Sequence, residues 1–215
     1  MLLREERELV AAYGRKMSAD RLSTGTSGNL SVYDPERGFM AISPSGMDYD
    51  AIGPEDVVVT DLDAHVIEGA RKPSSEWALH TAFYRRKPMA RAVVHTHSVY
   101  CTTFAALGKP LEAVHYAIAD AMAVQIPCAP YALFGTAELA RTAIETCGEG
   151  NGVLLANHGL VVCGGDMRSA YALACNLEFV AELQYRTLCI GAPKILTDGQ
   201  MAAVLEKFKT YGQPK

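Results

Sequence analysis

Ala92-Val93-Val94-His95-Thr96-His97 is an apolar run that ends in two histidines separated by one residue. Such a run reads as a short buried strand. In extended backbone, side chains i and i+2 share a face, so His95 and His97 project together. A second run has the same form: Gly152-Val153-Leu154-Leu155-Ala156 leads into Asn157-His158-Gly159. Two strand ends that deliver three imidazoles make a facial metal site, and three protein ligands on zinc leave room for water or substrate. A pair of satisfied core histidines reads the same way at this spacing, and from these residues alone both readings stand.

Outward from these runs, Val10, Tyr13 and Met17 recur at helical spacing and predict an amphipathic helix over residues 4–21. Residues 29–32 and 39–42 flank Asp34-Pro35-Glu36-Arg37-Gly38 and predict a hairpin. Val57-Val58-Val59-Thr60 predicts a strand that turns through Asp61-Leu62-Asp63 into His65-Val66-Ile67. Pro73-Ser74-Ser75 predicts a helix start with a serine as N-cap, and Pro88 stops that helix near Arg86. A further helix is expected at about 99–107, and short strands at 115–118 and 125–128. Gly135-Thr136 opens a helix to about Cys147, residues 160–163 form a strand beside 153–156, and helices fill 167–189 and 198–210. Several strand pairs are joined too tightly for parallel crossovers. The expectation is an α/β fold, one domain over residues 1–215, with a mixed, mainly antiparallel central β-sheet flanked by α-helices.

Composition narrows the function classes. In 215 residues, 49% hydrophobic and 20% charged content are ordinary globular values, enough for a full core. A net charge of −4 carries no basic footprint for nucleic acid. No stretch approaches 18 uninterrupted apolar residues, so no spanning helix is expected. Met-Leu-Leu-Arg-Glu-Glu-Arg-Glu is too charged for a secretory signal. Six cysteines without Cys-x-x-Cys read as reduced, mostly buried thiols. A cytoplasmic enzyme with no nucleic-acid or membrane partner is expected.

Three small-residue segments could cradle a phosphate without lysine: Gly25-Thr26-Ser27-Gly28-Asn29, Ser43-Pro44-Ser45-Gly46 and Pro73-Ser74-Ser75-Glu76. Each offers backbone N–H groups and hydroxyls, and the last adds the positive end of a helix dipole. Taken singly, each serves equally as a turn or cap. Glu76 in the first helical turn is a favourable carboxylate with no function needed, or a base or metal ligand beside the serines. Tyr116, by its own context, is a packed aromatic; Trp77, Phe134 and Tyr211 read as core aromatics; His65, His80 and His115 read as structural.

In order along the chain, these segments resemble the class II aldolases of the L-fuculose-1-phosphate aldolase family. The resemblance rests on Gly25-Thr26-Ser27-Gly28-Asn29-Leu30-Ser31, Ile42-Ser43-Pro44-Ser45-Gly46, Pro73-Ser74-Ser75-Glu76-Trp77, Val93-Val94-His95-Thr96-His97, Ile126-Pro127-Cys128-Ala129-Pro130-Tyr131, Asn157-His158-Gly159 and Leu205-Glu206-Lys207-Phe208-Lys209-Thr210-Tyr211-Gly212. It implies that His95, His97 and His158 bind zinc (cobalt or manganese in its place), one ion per subunit. Glu76 would ligate the ion in the empty site and then work as acid and base. Gly28, Asn29, Ser45, Gly46, Ser74 and Ser75 match phosphate-binding loops. Tyr116 matches a tyrosine that reaches a neighbouring subunit's site, in a homotetramer with active sites at subunit interfaces. Phe134 and Tyr211 match aromatics at the aldehyde end.

The resemblance implies a lyase that cleaves a sugar phosphate of the L-fuculose 1-phosphate type to dihydroxyacetone phosphate and a short aldehyde such as lactaldehyde. Where Ala119-Asp120-Ala121-Met122-Ala123-Val124 stands, the fuculose enzyme has a smaller, glycine-containing run, and this chain also lacks its longer charged tail. An apolar lining by Met122 and Val124 would suit 5-deoxyribulose or 5-methylthioribulose 1-phosphate, the alternative substrates. A pentulose-5-phosphate 4-epimerase would need a second phosphate clamp, and no added basic residue is placed for one. An adducin-like interaction domain has no need of three histidines and the glutamate.

Overall fold

Residues 1–208 are described by the computed structural model, and most of their strand positions are buried on both faces of one sheet. The elements follow in the order α1 (Arg4–Ala19), β1 (Asn29–Asp34), β2 (Phe39–Ile42), β3 (Val58–Asp61), β4 (Val66–Glu68), α2 (Trp77–Arg86), β5 (Ala92–Thr96), α3 (Val99–Ala106), β6 (Cys128–Ala129), α4 (Ala137–Cys147), β7 (Gly152–Leu155), β8 (Gly159–Gly164), α5 (Met167–Ile190) and α6 (Asp198–Phe208). The eight strands lie in the order β4-β3-β2-β1-β5-β8-β7-β6. Only β6 and β7 run parallel, so the sheet is mixed and mainly antiparallel, as expected.

Alternation along each strand divides the apolar side chains between two cores. Leu30, Val32, Val94, Leu160 and Val162 face a layer that holds α1, α3 and α5. Met40, Ile42, Val93, Val161 and Val153 face α2 and α4, with Leu79 and Phe83 of α2 among them. Phe83 and Phe104 are fully buried, one in each core. Each contributes about 1.5–3 kcal/mol by leaving water. The result is three layers, helix–sheet–helix.

Two local expectations are corrected. Residues 115–118 do not form a strand: His115 Nδ1 accepts the Ala117 N–H at 3.2 Å, and Tyr116–Ala121 winds as a 3-10 turn. A side chain that satisfies nearby backbone competes with a strand ladder in this way. The serine N-cap also moves. Ser74 N–H donates to the Ser43 carbonyl at 3.0 Å and Pro73 bridges to Pro44, which holds this stretch against the loop after β2. The helix therefore starts later, with Glu76 as its N-cap residue and Ser74 Oγ accepting the Glu76 N–H at 3.2 Å. Tyr211 lies outside the described residues.

Candidate active site

The antiparallel register puts Asn29 of β1 directly opposite His95 of β5, and Thr96 opposite Leu160 of β8. The start of β1, the end of β5 and the start of β8 therefore meet at one edge of the sheet. His97 follows β5 by one residue, and His158 precedes β8 by one. The turn that carries His158 is closely constrained. Asn157 adopts a left-handed conformation (φ 55°) that asparagine tolerates, and a Cβ on Gly159 would collide with the Thr96 carbonyl oxygen. From these positions the three imidazoles converge.

His95 Nε2 lies 3.0 Å from His97 Nε2 and 3.2 Å from His158 Nε2. The three ligating nitrogens all fall within 4.8 Å of one another. Tetrahedral zinc–nitrogen bonds of about 2.05 Å would set neighbouring nitrogens roughly 3.3 Å apart. His95 Nδ1 is 2.9 Å from the Leu160 carbonyl, the acceptor that an Nδ1–H needs, which points Nε2 into the cluster. Burial, then the fields of His95 and His158, push the His97 imidazole down to about 3; burial and then His95 push His158 down to about 4. Both shifts favour neutral rings, the form that can offer a lone pair.

Glu76 completes the cluster from the start of α2. Its Oε2 lies 3.2 Å from His95 Nε2 and its Oε1 lies 3.5 Å from His158 Nε2. Burial opposes ionisation of Glu76, but the charge and hydrogen bond of His95, followed by His158 and Asn29, outweigh it and hold the carboxyl well below the usual range. Burial likewise works against a proton on His95, and the Glu76 carboxylate wins, raising it. Oε1 is buried and has no hydrogen-bond partner among the described residues, which leaves its lone pairs open to a ligand. Three nitrogen donors, a carboxylate and that orphan oxygen fit a divalent cation.

A cleft of about 370 Å³ opens over the cluster. Gly28, Asn29, Ser45, Gly46, Ser74 and Ser75 line it together with Glu76, His97 and His158. Three expected phosphate loops thus come to one wall, because Ser45 N–H bonds the Lys72 carbonyl at 2.9 Å and Tyr49 Oη–H bonds the Gly28 carbonyl at 2.9 Å. Neutral donors dominate that wall: no lysine or arginine lines the cleft among the described residues. Phe134 is not a core aromatic. It is 63% exposed and lines the mouth beside Tyr131.

Tyr116 and Met122 do not line the cleft of their own chain. Tyr116 is 53% exposed on its 3-10 turn, 4.6 Å in ring separation from His115. Met122 lines a separate groove with Asp120 and Asn151, so a lining of the histidine cleft by Met122 is not seen; Val124 is exposed and also away from that cleft. Behind the cluster the sequence reading missed one residue. His80 is fully buried, and its Nε2 lies 2.5 Å from Asn29 Oδ1, while Asn29 Nδ2 donates to Glu76 Oε2 at 3.0 Å. The signal was available as the i, i+4 spacing of Glu76 and His80, which puts both on one side of a helix.

Comparison with known proteins agrees with this geometry. Residues 8–185 match the family described as class II aldolase and adducin N-terminal domain. A 5-deoxy-D-ribulose 1-phosphate aldolase of Bacillus thuringiensis serovar kurstaki is 47% identical over 213 residues, 99% of this chain and 100% of that one. An L-fuculose phosphate aldolase of Escherichia coli O6:H1 is 43% identical over 192 residues, 89% of this chain and 88% of that one. A solved L-fuculose 1-phosphate aldolase superposes with a TM-score of 0.94 at 38% identity, covering 97% of this chain and 98% of that one.

Proposed function

Because this chain belongs to the class II aldolase and adducin N-terminal domain family, as an aldolase, we propose that it cleaves 5-deoxyribulose 1-phosphate to dihydroxyacetone phosphate and acetaldehyde. The observation that carries the reading is Glu76 Oε1, buried without a hydrogen bond among the described residues, beside three convergent imidazole nitrogens and under a wall of small residues suited to phosphate. The likeness to a 5-deoxy-D-ribulose 1-phosphate aldolase over the full length of both chains favours this substrate over L-fuculose 1-phosphate.

His95, His97 and His158 would hold the metal, with Glu76 as the fourth group, and we propose zinc on the strength of the imidazole-rich donor set. When bound, such an ion supplies a Lewis acid that lowers the energy of charge developing on substrate oxygens. The other groups act on positions and protons. The backbone N–H groups at Gly28, Asn29 and Gly46 and the hydroxyls of Ser45, Ser74 and Ser75 would grip the phosphate and align the C3–C4 bond. As that bond breaks, its electron pair remains on the three-carbon fragment as an enediolate and the C4 hydroxyl proton must leave. Glu76, ionised in the free site, must first take up a proton, and then delivers it to C3 to give dihydroxyacetone phosphate, balancing the proton lost from the C4 hydroxyl.

Tyr116 of a second copy would relay the C4 proton, since Tyr116 stands exposed and away from its own cleft. We propose active sites at subunit interfaces, in a homotetramer. Phe134, with Tyr211, would contact the aldehyde end. The single eight-stranded sheet supports one domain over residues 1–215, and six free thiols are in keeping with a reducing, cytoplasmic setting.

The test is product analysis with zinc-loaded protein on 5-deoxyribulose, 5-methylthioribulose, ribulose and L-fuculose 1-phosphates, reading dihydroxyacetone phosphate and aldehyde. The expected kcat/KM for 5-deoxyribulose 1-phosphate exceeds that for L-fuculose 1-phosphate at least about tenfold, a difference of ~1.4 kcal/mol in transition-state binding. A preference for L-fuculose or 5-methylthioribulose 1-phosphate refutes the substrate assignment, and no dihydroxyacetone phosphate from any of them refutes the reaction.

A further inference from the structure

Glu76, His80 and Tyr84 follow one another at intervals of four, from the N-cap of α2 along one side of the helix. Asn29 and Ser31 stand two residues apart on β1 and share a face of the sheet. The two sets interleave. Asn29 Nδ2 reaches Glu76 Oε2 at 3.0 Å, His80 Nε2 reaches Asn29 Oδ1 at 2.5 Å, and Ser31 Oγ reaches His80 Nδ1 at 2.6 Å. The Tyr84 hydroxyl lies 2.6 Å from Ser31 Oγ and 3.0 Å from the Ser31 carbonyl. All five side chains are buried.

The direction of this chain follows from its acidic end. An ionised carboxylate only accepts, so the Asn29 amide must turn its NH2 to Glu76 and its oxygen to His80. That oxygen needs a donor, so His80 carries its proton on Nε2. In a neutral ring Nδ1 is then an acceptor and receives the Ser31 hydroxyl proton. Burial, followed by His95, pushes the His80 imidazole down to about 3, in keeping with a neutral ring. A reversed Asn29 would place its carbonyl oxygen against Glu76 Oε2 in a buried site, a repulsive and unsatisfied arrangement.

We propose that His80 is a positioning residue: as the neutral Nε2–H tautomer held by Ser31 and Tyr84, it locks the Asn29 amide so that Glu76 Oε2 is always occupied and Oε1 alone remains free to move a proton. This rests on the role of Glu76 proposed above. Removing the His80 donor leaves the cleft wall and the histidine cluster in place but lets Asn29 turn. The carboxylate is then held in several orientations, and turnover falls without a change in substrate affinity.

The experiment compares His80→Leu, which has no donor, with His80→Gln, whose side-chain amide can donate to Asn29 Oδ1. Cleavage, C3 hydrogen exchange of dihydroxyacetone phosphate, bound zinc and melting temperature are read for each. In His80→Leu, kcat and the exchange rate should fall together by about ten- to thirtyfold, with KM within twofold and zinc still one per chain. His80→Gln should recover most of both rates. Nitrogen-15 spectra of histidine-labelled protein, with the His80 signals identified by their loss in His80→Gln, should show a neutral Nε2–H ring at neutral pH.

A wild-type kcat in His80→Leu, equal rate losses in both variants that track a lowered melting temperature, or an Nδ1–H ring overturns the proposal. Should His80→Leu fail to fold, the spectrum and a Ser31→Ala variant, expected to lose kcat several-fold at unchanged KM, decide it. Catalysis that survives Glu76→Gln would instead remove the role of Glu76, whatever the His80 tautomer.

Discussion

Gly28 is where fold and site are most tightly joined, and replacing it with alanine separates two physical effects. The residue sits at φ +76°, in the left-handed region that an L side chain enters at about 1–2 kcal/mol. An added Cβ would also lie 2.8 Å from the His95 carbonyl oxygen, 2.8 Å from Ser23 Oγ and 3.2 Å from Met17 Cε. The methionine methyl can swing away. Ser23 Oγ is held by its 2.5 Å bond to the Ser27 carbonyl, and the His95 carbonyl belongs to a central strand, so neither yields cheaply. Overpacking of this kind adds about 1–3 kcal/mol.

Gly38→Ala is the matched control: its φ is +73°, but an added Cβ meets no atom within 4 Å. For a chain of this size each kcal/mol moves the melting temperature by about 2–4 °C. Gly38→Ala should melt roughly 2–8 °C below the parent, and Gly28→Ala a further 2–12 °C lower. The strain in Gly28→Ala bears on the backbone of His95, so zinc affinity should weaken in that variant alone. Calorimetric melts of metal-free protein and competitive zinc titration read the two consequences. Equal melting temperatures and equal zinc affinities for the two variants would refute the reasoning, because the close approach at Gly28 would then carry no energy.

Chelation followed by dialysis should abolish cleavage. Adding back zinc should restore it at one ion per chain by elemental analysis, and half-stoichiometric or absent binding would count against the three-histidine site. Zinc at a thousandfold excess over its Kd should stabilise the fold by about 4 kcal/mol, or roughly 8–16 °C in Tm. Glu76→Gln should fold and still bind Asn29 through its amide oxygen, yet lose about 10²–10⁴-fold in kcat, the usual weight of a positioned acid–base group. Tyr116→Phe should keep C3 hydrogen exchange of dihydroxyacetone phosphate while slowing cleavage about a hundredfold; equal losses of both would contradict its role at C4.

The metal cluster was legible because its signals are local. Strand period two puts His95 and His97 on one face, and the second apolar run ends in His158 by the same logic. What was hidden depends on partners distant in the chain. Asn29 faces His95 only through the register of β1 on β5, a pairing that spacing within either segment does not encode. His80 therefore read as an ordinary core histidine, although its spacing from Glu76 was visible. The strand expected at residues 115–118 failed for a local reason, the His115 ring competing for the Ala117 N–H.

Phe134 read as core because aromatic residues usually are. It instead stands exposed at the cleft mouth, on a loop where a Cβ on Gly135 would lie 3.0 Å from the Ser75 carbonyl. The same logic explains why Tyr116, Met122 and Val124 drop out of the cleft of a single chain: they belong to exposed surface on the segment between Tyr116 and Gln125, away from the sheet edge where the imidazoles meet. The division is physical. The three imidazoles stand at strand ends, and the chain's own periodicity marks those. Tyr116, proposed to act at the far end of the substrate, sits on an exposed turn, so its place in a site depends on what packs against that turn, which no periodicity within the chain specifies.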